Sequence, residues 1–229
     1  MGTACRTALA ASILAGIAQS KQPEQGADAV PLITEVLYAV PKGDEGDASR
    51  DGARHATGDE FVELFNPTDR PIPLAGWTIT DRNPPDSGQF LFRFPAFSLG
   101  PGETVVVFNG LDQKILGPVG TADAPPEKPN EKFADAWVFS AGNTSGGVGF
   151  ANDGDWACLS DPQGRAVACV VWGKPAEEPP LGGEKLAEAA KTSVASVQRT
   201  LAAPGGAFEA HPTVDGLRCS PGRPPPRTD

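Results

Sequence analysis

The sequence predicts an all-β protein built as two packed antiparallel sheets. Three observations predict it. Its 229 residues carry 27 Gly and 24 Pro, which punctuate the chain too often for long helices, while a 39% hydrophobic content is too high for a disordered chain. The apolar stretches between those breakers have strand length and alternate in polarity. Only one segment, residues 182–193, has helix-forming composition. The length suits one large domain with a substantial core; a closed barrel is the competing architecture.

PLITEVLYAV, residues 31–40, opens the ordered chain, with Leu32, Thr34, Val36 and Tyr38 on one face and Ile33, Glu35, Leu37 and Ala39 on the other. An acidic loop, residues 41–58, follows. EFVELFN, residues 60–66, is the next strand, with Val62 and Leu64 on one face and Phe61 and Phe65 flanking Glu63 on the other. NPTDRP ends it with turn residues. LAGWTITD and QFLFRFP are further strands, and the GPGE turn leads into ETVVVFNG, whose continuous apolar run suits a strand buried on both faces. Residues 111–132 are a long surface excursion. Strand signals resume in ADAWVFS and GVGFAND, and WACLSDPQGRAVACVVW, residues 156–172, is the clearest hairpin. GGEKLAEAAKTS is expected to give a short helix at most, and the tail from Cys219 is expected to be extended or disordered.

Residues 1–20 have the layout of a secretory signal peptide: Arg6, an apolar run from Thr7 to Ala18, then small residues. Residues 21–30 read as a linker, and residues 225–229 as a disordered tail. The apolar run is too short to span a bilayer, so no transmembrane segment is expected in the mature chain. Nineteen Lys and Arg against 29 Asp and Glu give a net charge of −10. That field repels nucleic acid, and no basic block offsets it. Cleavage would leave Cys158, Cys169 and Cys219 in an oxidising compartment, enough for one disulfide. Cys158 and Cys169 flank the DPQG turn, although a bulge could put them on opposite faces; Cys169 with Cys219 is the alternative.

The acidic loop has the spacing of a degraded calcium loop. Asp47, Ser49, Asp51 and Ala53 occupy its first, third, fifth and seventh positions, and Asp59 and Glu60 lie just past the twelfth. Ser49 and His55 stand where acids are usual, and Gly58 where the bidentate Glu belongs, so calcium competes with a solvated loop. Among catalytic patterns, no G-x-S-x-G, H-E-x-x-H or phosphate loop is present. His211 with the three late cysteines lacks paired C-x-x-C spacing for zinc. Glu35 and Glu63 could face each other if their strands pair, as glycosidase acids do, but strand carboxylates more commonly point to water.

Several stretches together closely resemble the secreted bacterial branch of the lamin tail domain family: DEFVELFNPTDRPIPLAGWTITD (residues 59–81), FRFPAFSLGPGETVVVFNG (92–110) and NDGDWACLSDPQGRAVACVVW (152–172). SVQRT, the stretch from Phe208 to His211, and CSPGRP resemble its trailing segment, extending the domain over residues 31–224. The resemblance implies an immunoglobulin-like β-sandwich with long surface loops, used as a non-catalytic binding module. It also implies that the loop before EFVEL corresponds to a D-x-N-x-D-G loop in the family. The expected function is an exported interaction module at the cell surface, in the periplasm or in the medium, with a protein or glycan ligand. The alternative is a small extracellular hydrolase using loops at one end of the sandwich. Clustering of Glu35, Glu63 or His211 in a deep pocket would favour the hydrolase.

Overall fold

The computed structural model describes residues 1–2, 29–84, 87–181, 186–189, 192 and 194–227. The leader and linker expected over residues 1–30 lie almost wholly outside them.

The strands among the described residues are β1 (Leu32–Leu37), β2 (Phe61–Phe65), β3 (Ile72–Pro73), β4 (Thr78–Thr80), β5 (Leu91–Arg93), β6 (Ser98–Leu99), β7 (Thr104–Phe108), β8 (Trp137–Ser140), β9 (Gly154–Ser160), β10 (Ala166–Gly173), β11 (Leu186–Ala189), β12 (Val197–Arg199) and β13 (Phe208–Ala210). All but β3 and β6, which pair with each other, join one curled sheet in the order β5-β4-β9-β10-β11-β13-β12-β1-β2-β7-β8. The curl brings its two halves face to face as an immunoglobulin-like sandwich. Ile79, Leu159, Val170 and Trp172 from one half meet Val36, Val62, Leu64, Val105 and Val107 from the other in one core. Trp77 is part of that core and 7% exposed, as its place after the Gly76 bend predicts.

Alternation in β2 is as expected: Val62 and Leu64 enter the inter-sheet core, whereas Phe61 lies on the outer face. In β1 the alternation breaks. The register against β2 shifts between Ile33 and Glu35, so Ile33 and Val36 share the inner core instead of lying on opposite faces. A bulge leaves one residue unpaired and re-aims its neighbours. Here it lets Thr34 reach Glu63 beside Glu35.

The outer face of β1, β2, β7 and β8 is not open to water. Leu37, Phe61, Val106, Phe108 and Val138 form a second apolar cluster roofed by Ala48 of the acidic loop, Phe133 and Ala136 just after the excursion, and Cys219 of the tail. The excursion of residues 111–132 thus leads into a lid. Asn130 fixes it, donating from Nδ2 to the carbonyls of Leu116 (2.8 Å) and Pro118 (3.0 Å).

Two expectations need correction. Residues 186–189 do not form a helix but β11, parallel to β10; an Ala-rich segment with weak helical register gains more from the unpaired backbone groups along β10. The tail from Cys219, expected to be extended or disordered, has no strand among the described residues but is packed. Residues 219–222 are buried, and the Pro226 carbonyl accepts the Ala202 N–H at 2.8 Å. Residues 228–229 lie outside the described residues.

Cys158 and Cys169 are cross-strand partners and form a disulfide; Cys219 is free and buried. A bulge does occur in this hairpin, between Ala166 and Ala168, but it leaves the two cysteines in register. The link closes a short loop, 11 residues in sequence separation. The chain-entropy model then assigns it about 3 kcal/mol. Reduction is expected to lower the denaturant midpoint accordingly without changing the far-UV circular dichroism.

Candidate functional site

Glu35 in β1 and Glu63 in β2 are directly opposite across the antiparallel pair. Neither points to water; both are 0% exposed, which corrects the expectation for strand carboxylates. The tail covers them and supplies many of their partners. Glu35 accepts from Ser196 Oγ (2.5 Å) and the Ser220 N–H (2.9 Å) at Oε1, and meets Gln198 Nε2 (3.2 Å) and Ser220 Oγ (2.9 Å) at Oε2. Glu63 has two partners, Thr34 Oγ1 (2.7 Å) and the Gly222 N–H (2.8 Å). Burial pushes both carboxyls up, and the neighbouring Glu35 charge pushes Glu63 further. The four-partner site favours the ionised form and the two-partner site the neutral one, so Glu63 is the member that holds a proton.

His211, 5% exposed, joins through Ser220. Its Nε2 lies 2.8 Å from Ser220 Oγ, and its Nδ1 contacts the Pro212 carbonyl. Glu35, Glu63 and His211 are therefore brought together, but not in a deep pocket. The cleft beside His211 holds about 150 Å³ and is lined by Gln198, Arg199, Glu209 and Pro225, among others, with neither Glu35 nor Glu63 exposed to it. Ser220 is 6% exposed and hydrogen-bonded on several sides. A nucleophile or acid pair needs room for a reacting atom within about 3 Å, and the described residues leave none here.

Gly222 makes the tail's approach possible. At φ +91°, an added Cβ would lie 2.0 Å from the Phe133 carbonyl oxygen. Gly222→Ala is expected to lower stability by more than the roughly 1–2 kcal/mol of the backbone conformation alone. Gly205→Ala, at φ +78° with nothing within 4 Å of the added carbon, should cost only that backbone part. Urea midpoints of the two variants check the difference.

The acidic loop is a separate assembly. Asp47 accepts the N–H groups of Asp51 (3.2 Å) and Gly52 (3.0 Å), and Ser49 Oγ at 3.4 Å. Asp51 accepts the N–H of Ala53 (2.9 Å) and Lys114 (2.9 Å), and its Oδ2 meets His55 Nε2 at 3.2 Å. Asp59 accepts from the N–H groups of Ser49 (2.8 Å) and His55 (2.6 Å) and from Gln113 Nε2 (2.9 Å). Gly58 occupies the twelfth position because the Leu111 carbonyl would lie 2.1 Å from any Cβ there. Glu60 turns elsewhere, its Oε2 accepting the Phe150 N–H at 3.1 Å. Every oxygen of the three aspartates already has a protein partner, and the bidentate ligand is excluded sterically. As formed, this donor set does not fit a calcium ion's need for about six to eight oxygens. Among the described residues, no group of three or more His, Cys, Asp or Glu is placed to hold a metal. For zinc, two of the three late cysteines are consumed in the disulfide.

A third group was not legible in the sequence. Glu60, Asp81 and Asp155 are all buried; Asp155 raises the proton affinity of Asp81, and both raise that of Glu60. Burial is the main cause, with Asp81 pushed up to about 7. Asp155 accepts from the N–H groups of Arg82 (3.0 Å), Trp156 (2.8 Å) and Ala151 (2.8 Å), tying together three chain segments. The acids come from distant positions, and only folding makes them neighbours.

The fold is a two-layer β-sandwich whose buried carboxylates are hydrogen-bonded within the protein, an arrangement consistent with a non-catalytic binding module. The sequence of residues 25–174 matches the Lamin Tail Domain family model, and the chain belongs to that family. Comparison with curated proteins finds no match. The family match ends shortly after β10, whereas β12, β13 and the tail, which complete the sheet beside β1 and bury the carboxylate pair, lie beyond it.

Proposed function

We propose that this protein is an exported, non-catalytic interaction module of the secreted bacterial lamin-tail type, with a protein or glycan ligand. The observation that carries the reading is the lamin tail domain match over most of a sandwich whose candidate catalytic residues are sealed. Export is supported by the leader-like residues 1–20 and by the Cys158–Cys169 disulfide, a bond that persists in oxidising compartments. Among the described residues, no helix is long and apolar enough to cross a membrane. The net charge of −10 argues against a nucleic-acid ligand.

The purified protein, immobilised and presented with the producing cell's envelope and secreted fractions, should retain a defined partner that free module competes away. Failure to retain any, together with turnover of simple esters or glycosides, would overturn the reading in favour of the hydrolase. That alternative draws on the proximity of Glu35, Ser220 and His211.

The acidic loop enters this reading as a self-braced turn. Calorimetric titration with millimolar calcium is expected to give no binding heat and no change in melting temperature. Asp59→Ala should lower that temperature by releasing Ser49, His55 and Gln113.

A further inference from the structure

Segment 217–227 crosses the outer face of β1 and β2 without joining the sheet. Its apolar anchoring is slight, Leu217 and Cys219 being its members of the outer cluster. What fixes it at the centre is polar: the Ser220 N–H and Oγ on Glu35, the Gly222 N–H on Glu63, and Gln198 Nε2 on Ser220 Oγ and the Arg223 carbonyl, with the Ser196 N–H on the Arg218 carbonyl beside them. Its remaining charged groups are occupied elsewhere. Arg218 pairs with Glu45, Arg223 with Asp215, and Arg227 lies over the Phe65 ring. On β12, Arg199 donates to the carbonyls of Ile33 and Gly206, and Gln198 is neutral. Opposite Glu63 on β7 is Val106. Asp47, Arg50 and Asp59 of the acidic loop act on Cys219. Among the described residues, no Lys or Arg is ion-paired with either glutamate, and His211 is one hydroxyl away from Glu35.

We propose that segment 217–227 is a releasable strap, latched by the Glu35–Glu63 pair while the pair holds a proton and unlatched when alkaline conditions remove it. Ser220 gives the geometry its direction. Its Oγ lies within hydrogen-bond distance of both Glu35 Oε2 (2.9 Å) and His211 Nε2 (2.8 Å), and the charge of His211 favours the ionised form of Glu35, so Glu35 has a compensating partner. Glu63 has none. Its ionisation places a second negative charge opposite Glu35 in a dry site, with Thr34 and one N–H as its partners. Lifting the strap admits water to both carboxylates and leaves the inter-sheet core intact.

Cys219, buried and free on the strap, reports the opening. The test uses the full-length, disulfide-intact protein, labelled with iodoacetamide at pH 6.5–9. Modification of the Cys219 tryptic peptide is measured by mass spectrometry. Each rate is divided by that of the free peptide CSPGRPPPR, which removes the intrinsic thiolate dependence. In the wild type the corrected rate should rise at least tenfold across this range. In Glu63→Gln, whose amide can donate to Thr34 and accept from Gly222 as the neutral acid does, it should stay flat. Amide protection in β9 and β10 should hold throughout. A flat corrected rate in the wild type, an equal rise in Glu63→Gln, or loss of β9 and β10 protection in parallel would each overturn the strap. Should Glu63→Gln fail to fold, wild-type amide exchange at Ser220 and Gly222 decides. Acceleration beyond base catalysis supports the latch, and its absence overturns it.

Discussion

Trp172→Ala is expected to lower stability by about 3–5 kcal/mol, the range for emptying a buried large aromatic site. The ring is 1% exposed, stacks on Tyr38 with centroids 4.2 Å apart and planes 9° from parallel, and meets Phe150 edge-on at 5.5 Å. Tyr38 continues from β1 and Trp172 belongs to β10, so the stack joins the two halves of the sandwich at one end. The indole also donates to the Ala151 carbonyl at 2.9 Å, and alanine would leave that acceptor without its partner. Trp172→Phe should keep much of the packing and lose the hydrogen bond, for about 1–2 kcal/mol. At roughly 2–4 °C per kcal/mol for a domain of this size, thermal melts resolve the two variants easily. Trp137→Ala should cost less than Trp172→Ala, because Trp137 is only partly buried and its indole donates to Glu103 near the surface.

The protein is expected to be more stable at pH 5.5 than at pH 8.5. Glu35, Glu63, Glu60, Asp81, Asp155 and Asp59 all have their carboxyls pushed up, burial being the first cause in each. A group with a raised folded-state value binds its proton more tightly when folded. Its contribution is complete below the unfolded value and is lost as pH rises through the folded one. The window therefore opens at the ordinary carboxylate range, near 4, runs through about 7 for Asp81, and extends upward for Glu60 and Glu63. Asp161 shifts the other way: desolvation raises it, but the hydrogen bonds and charge of Arg165 and the Gln163 N–H together outweigh that and hold it down, so it acts below this window. Less self-repulsion in a chain of charge −10 adds in the same direction. For Asp81 alone, moving from below to above its folded value across this range changes stability by on the order of 2 kcal/mol. Melting curves across pH 5.5–8.5 measure it. Glu63→Gln should flatten part of the slope and be at least as stable as the wild type at pH 8.5, whereas a melting temperature rising with pH would contradict the burial of these acids.

Much of the sandwich was legible because strands announce their faces locally. Val62 and Leu64 against Phe61, the apolar run of β7, the GPGE turn and the β9–β10 hairpin follow from residue type and spacing alone. Residues 186–189, in the segment expected to give a short helix at most, are a strand because the local helical preference was weak and the unpaired edge of β10 lay beside them. The candidate site was legible in its members but not in its state. Glu35 and Glu63 were recognisable as potential partners, yet their burial depends on a tail more than 150 residues away, with Ser220 separated from Glu35 by 185 positions. The Tyr38–Trp172 stack required β1 and β10 to be brought together.

By itself the sequence determined the β character, the periodicity of each strand, the lamin-tail resemblance and the two cysteine pairings open to the chain. Only the tertiary structure decided what covers each face: that the outer side of β1, β2, β7 and β8 lies beneath the acidic loop, the excursion and the tail, and that Cys169 pairs with Cys158. The physical reason is that alternation is a local property of the backbone pleat, fixing which side chains share a face. Whether that face meets water is set by segments distant in sequence, whose docking no local pattern encodes.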